Sequence, residues 1–251
     1  AEEEQEDSRA GATNQTRSVI RAIRLGQNNV GGTLPSEIGY LTTLSTGIWL
    51  YDNKIQGTLP TELGLLTNLE LLELPSNQFT GTIPTELANC TSLRQFFLFD
   101  NNLNGTIPSV LFEPHQQQHQ SKLESIKWER NRLHGTLPTV LGTVTTLQEI
   151  GLLGNTGLTG TIPTELGQLI HLRMLSISCP GCTNHTLPSQ LFQLTNVQVL
   201  TLKDMSLIGS LSSDIANLTK LVLMDLSNNY LTGSIPSKIG EINNLTALSL
   251  T

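Results

Sequence analysis

Two short stretches hold residues whose chemistry depends on spacing. The first is Cys179-Pro-Gly-Cys182, with His185 three residues further on. Such thiols can close a local disulfide, act as a redox pair, or supply half of a zinc site that His185 would extend. Redox pairs of this kind stand at a helix start in a thioredoxin-like setting, which is missing here. Zinc would need a fourth ligand and a more convincing third. A local disulfide or idle thiols is the plainer expectation. The second stretch is His115-Gln-Gln-Gln-His119, with the histidine spacing of the zinc-protease motif HExxH. The glutamate that would act as base is a glutamine, and the segment reads as a polar loop. Cys90 reads as a small core residue. No Gly-rich phosphate loop follows a strand, and no Ser/His/Asp or paired-carboxylate constellation is visible. The expectation is no enzyme, no metal and no cofactor.

Six N-x-[ST] sequons offer glycosylation candidates at Asn14, Asn89, Asn104, Asn184, Asn217 and Asn244. With 19 Asn and 51 Ser plus Thr in 251 residues, chance placement alone gives roughly four such sites. The sequons permit a secreted protein without establishing one.

The elements that must position these residues come from a repeat. GTLPTELGLLTNL begins at Gly57, GTIPTELANCTSL at Gly81, GTLPTVLGTVTTL at Gly135, GTIPTELGQLIHL at Gly160 and GSIPSKIGEINNL at Gly233. An apolar run ending in Asn stands ahead of each. Stacked, the units read L-x-x-L-x-L-x-x-N-x-L-x-G-x-[IL]-P-x-x-[LI]-G-x-L-x-x. They begin near Ile20, Ser45, Leu69, Leu93, Leu123, Leu147, Leu172, Val197, Leu221 and Leu245, and Leu69 to Leu93 is 24 residues. L-x-x-L-x-L predicts a short strand whose leucines point one way and whose x residues point the other. One unit cannot bury its leucines alone, so units must stack into a continuous core. The Asn column is Asn28, Asn53, Asn77, Asn101, Asn131, Asn155 and Asn229. Asn both donates and accepts, so at a bend it can serve backbone groups of its own and neighbouring turns. Pro fixes φ at the second bend, where a short helix or 3₁₀ turn can begin. Three units depart from the pattern. The eighth has Met205 in the Asn column and Ser212 in the Pro column. The seventh replaces the Asn segment with SCPGCTNH. The fourth carries extra residues before Leu123.

The pattern resembles the leucine-rich repeat, in its plant-type subclass marked by L-x-G-x-[IL]-P, from about Ile20 to Thr251. The resemblance implies an α/β solenoid, a right-handed superhelix of about nine or ten repeats with a concave parallel β-sheet. The family includes receptor-kinase ectodomains, receptor-like proteins and inhibitors of cell-wall-degrading enzymes, and similar repeats occur in algae and diatoms. A protein or peptide ligand on the concave or lateral face, with a glycan as a further option, is what the resemblance implies. So is an extracellular or cell-surface location. The alternative is a structural subunit of a larger assembly, organellar or intracellular, held by its edges and side faces.

Composition bounds these options. The chain has 251 residues, 37% hydrophobic, 14% charged and 4% aromatic, with a net charge of −7. That suits one elongated repeat domain over 19–251, preceded by an acidic polar tail over 1–18 that opens AEEEQED. No basic stripe is present, so a nucleic-acid partner is not expected. No run reaches the roughly 18 apolar residues of a membrane span. No signal-peptide pattern opens the chain, the Cys-bearing cap usual in plant-type relatives is missing, and the tenth unit stops after its strand. The expectation is a mature or truncated fragment, with any signal, span or kinase domain outside it.

The register places a candidate binding patch. The fifth column reads Arg24, Trp49, Glu73, Phe97, Lys127 and Gly151, and the seventh reads Gly26, Tyr51, Pro75, Phe99, Glu129 and Leu153. Of only eleven aromatic residues in the chain, Trp49, Tyr51, Phe97 and Phe99 fall in these columns within three consecutive units. Adjacent strands lie about 4.8 Å apart, so the four should form one patch roughly 10 Å across. Asp52, Glu73, Asp100, Lys127, Glu129 and Arg130 should rim it. An aromatic centre with a charged rim is how protein-binding hot spots are built, although single exposed apolar residues are often idle. Leu98, in the sixth column, should be buried.

Overall fold

The computed structural model describes residues 19–114 and 121–251. The tail over 1–18, with Asn14, and the pair His115 and His119 lie outside the described residues. Among the described residues, ten short strands pair in parallel and in chain order as one sheet. They run from Ala22–Arg24 and Gly47–Trp49 through Leu71–Glu73, Gln95–Phe97, Ser125–Lys127 and Glu149–Gly151 to Ala247–Ser249. Parallel order follows from the repeat, because every strand is reached by the same circuit of chain.

The opposite side carries 3₁₀ turns of four or five residues. A circuit of 24 residues leaves little length for a longer α-helix, and the steeper rise of 3₁₀ structure covers the distance with fewer residues. Pro35, Pro60, Pro84 and Pro108 each immediately precede such a turn, with φ between −74° and −63°. Where the eighth unit has Ser212 instead, its hydroxyl accepts the Asp214 N–H at 3.1 Å. A side-chain cap replaces the pre-set ring.

Among the described residues, three small three-stranded sheets lie between these sides. One joins Gly31–Thr33, Lys54–Thr58 and Gln78–Thr80. They are absent from the expectations above, since the segment L-x-G-x carries no alternating pattern. Its glycine explains the bend. Gly57 has φ +82°, and a Cβ there would stand 3.0 Å from the Thr33 methyl of the previous unit. Both the left-handed conformation and the close approach favour glycine.

The core is one column of leucines with a local change of size. Leu72, Leu74, Leu98, Ile126, Leu147 and Leu152 have no exposed surface. Trp128 replaces leucine at the sixth position of the fifth unit and is also fully buried. It packs edge-on against Phe96, with centroids 5.2 Å apart, and Phe112 lies 6.3 Å away. Its indole N–H donates to the Phe96 carbonyl at 3.1 Å, so the large ring brings no orphaned polar group into the core. This bulk sits beside the lengthened fourth unit.

The Asn column closes each bend. Asn101 Nδ2 donates to the Leu98 carbonyl of its own unit and the Leu74 carbonyl of the previous one, both at 3.0 Å. Its Oδ1 accepts the Phe79 N–H, also of the previous unit, at 3.0 Å. Asn53, Asn77, Asn131, Asn155 and Asn229 repeat the scheme. The seventh unit has Pro180 there, and Cys179 is joined to Cys182 by a disulfide with Cα atoms 5.3 Å apart. Both sulfur residues are buried in the core. The eighth unit fills the same place with Met205, which is fully buried.

Two stability outcomes follow. Leu98→Ala is expected to cost about 2–5 kcal/mol, as deletion of a packed leucine without collapse does. Chemical denaturation read by circular dichroism checks this, and a near-wild-type midpoint would place the concave columns in a wrong register. Asn101→Ala is expected to cost about 2 kcal/mol or more, because it orphans an N–H and carbonyls in two units. An unchanged melting curve would show that these bonds are replaceable by water.

Candidate functional site

Every x position of a concave strand has its counterpart one unit on. Arg24, Trp49, Glu73, Phe97, Lys127, Gly151, Ser176, Thr201, Asp225 and Ser249 pair in one unbroken row. Ladder bonds continue past the strand ends, with Asp52 N–H to Pro75, Ser76 N–H to Phe99 and Asp100 N–H to Glu129 carbonyls at 2.9–3.0 Å. The fifth and seventh columns therefore form two adjacent rows on one face. The eighth column adopts a left-handed backbone at Asp52, Ser76, Asp100 and Arg130, with φ of 50° to 55°.

These rows enclose a concavity of about 600 Å³ lined by Tyr51, Asp52, Glu73, Phe97, Phe99, Lys127, Glu129 and Arg130. Pro75, Ser76 and Met174 join the lining. Met174 stands in the third column of the seventh unit, and no aromatic or charge signal marked it in the sequence. Trp49 and Asp100 stand outside the lining.

Three glycines decide how the larger side chains lie. A Cβ at Gly47 would stand 2.6 Å from the Trp49 ring, and one at Gly26 would stand 2.6 Å from the Tyr51 ring. One at Gly151 would collide with the Glu129 carboxylate. Each large side chain reclines over a neighbour that has no side chain of its own. Trp49 carries the Arg24 guanidinium 4.5 Å from its ring centroid, and its side chain donates a hydrogen bond to Glu73 on the next strand. Of the four aromatics expected in one patch, Tyr51, Phe97 and Phe99 line the concavity, and Trp49 adjoins it through Glu73.

Cations sit over both phenylalanines. Lys127 Nζ lies 5.1 Å from the Phe97 centroid and 2.8 Å from Glu149 Oε2. The Arg130 guanidinium lies 5.9 Å from the Phe99 centroid and grips Asp100, Nη2 donating to Oδ2 at 2.6 Å. Both cations are thereby committed to carboxylates. Asp52, Glu73 and Glu129 enter no ion pair among the described residues. Among the described residues, Asp52 accepts only a weak bond from the Gln27 amide at 3.3 Å.

The carboxyls titrate accordingly. The Arg130 guanidinium holds Asp100 below the ordinary carboxylate range. Burial pushes Glu73 up, against an opposing hydrogen bond from the Trp49 side chain. Burial also pushes Glu129 up, against weaker pulls from its own backbone N–H and from Lys127 and Arg130. A carboxyl with a raised pKa in the fold binds protons more tightly there than in the unfolded chain, so its ionisation opposes folding at neutral pH. Glu129→Gln is therefore expected to melt no lower than wild type at pH 7. The difference should shrink as pH falls through the raised Glu129 pKa. Calorimetry at several pH values checks this, and a variant that melts lower at pH 7 would give Glu129 a stabilising partner.

The remaining candidates are placed as follows. Nδ1 of His185 lies 3.1 Å from the Thr183 carbonyl beside the disulfide. Among the described residues, no group of three His, Cys, Asp or Glu side chains could hold a metal ion. Burial pushes the Cys90 thiol up to about 12, which removes its thiolate at neutral pH. Asn89, Asn104, Asn184, Asn217 and Asn244 are all exposed. No helix among the described residues is long and apolar enough to cross a membrane.

Comparison with known proteins agrees with the repeat. The family model described as Leucine Rich Repeat matches residues 68–90 and 220–242. No curated protein matches the chain. Among solved structures, the crystal structure of a TDR receptor is 32% identical with a TM-score of 0.81, covering 90% of this chain and 38% of that one. The Arabidopsis receptor kinase HAESA, solved with the peptide hormone IDA and the co-receptor SERK1, is 31% identical with a TM-score of 0.82, covering 93% and 38%. A plant ice-binding protein is 25% identical with a TM-score of 0.68, covering 92% and 73%. The chain spans about two fifths of the length of the two receptors. Such repeats typically serve as non-enzymatic binding scaffolds, and the likeness to receptor ectodomains supports a protein-binding recognition module. With its ten-stranded parallel sheet, its Asn-closed bends and its L-x-G-x-[IL]-P turns, the chain is a plant-type leucine-rich repeat protein.

Proposed function

We propose that this chain is a non-enzymatic recognition module that lays an extended peptide or protein segment across the concave sheet, outside the cell. One observation carries the proposal. The concavity of about 600 Å³ combines the rings of Phe97 and Phe99 with Asp52, Glu73 and Glu129, which enter no ion pair among the described residues, all on one continuous sheet. Aromatic anchors on a preorganised scaffold give affinity at little ordering cost. The HAESA structure holds a peptide hormone and a co-receptor, and that precedent supports a peptide as the ligand class here. A disulfide suits an oxidising compartment, and the five described sequons are exposed to modification. Both support an extracellular site of action.

A second reading rests on a different surface. Where the chain enters the concave strands, Glu124, Gln148, His171, Arg173, Gln198 and Lys220 line a polar side groove of about 520 Å³. A subunit held in a larger assembly would use this side face. The groove carries no aromatic anchor, so the concave face is preferred.

Selection of phage-displayed random peptides on the immobilised chain tests the choice. Recovered peptides are expected to lose at least about tenfold in affinity, or about 1.4 kcal/mol, on Phe97→Ala or Phe99→Ala. Arg173→Glu on the side face should leave them unaffected. Peptides indifferent to both phenylalanines, or none recovered, would reject the concave role.

A further inference from the structure

Glu129 stands apart from the other charged groups of the concavity. Its carboxylate reclines over the bare backbone of Gly151, the one seat in the row that a side chain would deny it. There its Oε2 is buried and has no hydrogen-bond partner. A carboxylate oxygen removed from water and left unpaired is costly. The two nearest cations attract it but give its Oε2 no hydrogen bond, because each is held by another carboxylate. Lys127 is engaged by Glu149 at 2.8 Å and lies over Phe97. Arg130 is engaged by Asp100.

The surroundings repeat the imbalance. Asp52 and Glu73 line the same concavity, also without ion pairs among the described residues. The two phenylalanines between them and Glu129 present aromatic faces, which attract cations and stack on guanidinium groups. An acidic side chain placed here would make Glu129 costlier, and a neutral donor would pair the oxygen without matching its charge. A long cationic side chain would satisfy it and pack its stem on the rings.

Building on the recognition role above, we infer that the concavity receives an arginine or lysine side chain of the bound peptide, with Glu129 as its ion-pair partner and Phe97 and Phe99 as its walls. The sequence around the cation is set by other columns of the sheet. The charge requirement is set by this concavity.

The phage selection tests this directly when the recovered peptides are sequenced. Arginine or lysine is expected at one fixed register, above its frequency in the library. For one such peptide, synthesised with the cation and with norleucine in its place, calorimetry on wild type and Glu129→Gln completes a double-mutant cycle. Each single change should weaken binding about tenfold or more, and the two together should cost clearly less than their product. Glu129→Gln keeps the shape of the side chain. Gly151→Ala, which displaces the carboxylate from its seat, serves as an independent second variant and should weaken the same peptide. Phe97-dependent peptides without a fixed cation, or a cycle with no coupling, would overturn the inference and leave the recognition role standing. Failure to recover any peptide that depends on Phe97 or Phe99 would overturn both.

Discussion

The hydrogen bonds of one asparagine per repeat set the geometry on which everything else depends. A chain that turns sharply out of a strand must expose or pair the backbone groups at the corner. The asparagine pairs them on both sides at once, as Asn53 does when it donates to Leu50 of its own unit and Leu25 of the last, and accepts from Val30. Each such residue is both a corner brace and a tie to the previous turn. The strands therefore stack in one register, and side chains separated by 24 or 30 residues become neighbours in a row.

Where this tie is missing, other chemistry holds the corner. Pro180 can offer no side-chain donor or acceptor, and in that unit Cys179 and Cys182 are covalently joined while Cys182 N–H bonds the Cys179 carbonyl at 2.9 Å. The hydroxyl of Ser178 accepts the Gly154 N–H of the previous unit at 2.9 Å. The disulfide is thus a structural substitution within the repeat, remote in sequence from the aromatic columns. In the next unit Met205 occupies the asparagine's place as a flexible apolar filler, and the Asn229 amide oxygen reaches back to its N–H at 3.1 Å.

The rigid rows give the concave face a property that separate loops would lack. Missing side chains at Gly26, Gly47 and Gly151 are filled by Tyr51, Trp49 and Glu129 from other positions of the sheet. For the two rings this is ordinary packing of apolar surface. For Glu129 it is an expense against the fold, because desolvation raises its pKa and its Oε2 gains no hydrogen bond in return. Groups that weaken a fold and line a concavity are candidates for work done there.

The period alone determined a good deal. From the repeat came the solenoid, the strand positions, the buried Leu98, the bracing role of the asparagines and the membership of each concave column. These are local rules, repeated, and each unit states them again. Tertiary structure decided the rest. Which ring or cation Trp49 meets, which acid holds Lys127, why Glu129 Oε2 is left unpaired and how Met174 enters the lining all depend on neighbours supplied by other units. A column is a matter of backbone register, legible from spacing. An ion pair or a ring orientation is a matter of which side chains, or which gaps, the adjacent turns bring alongside, and that is settled only when the turns are stacked.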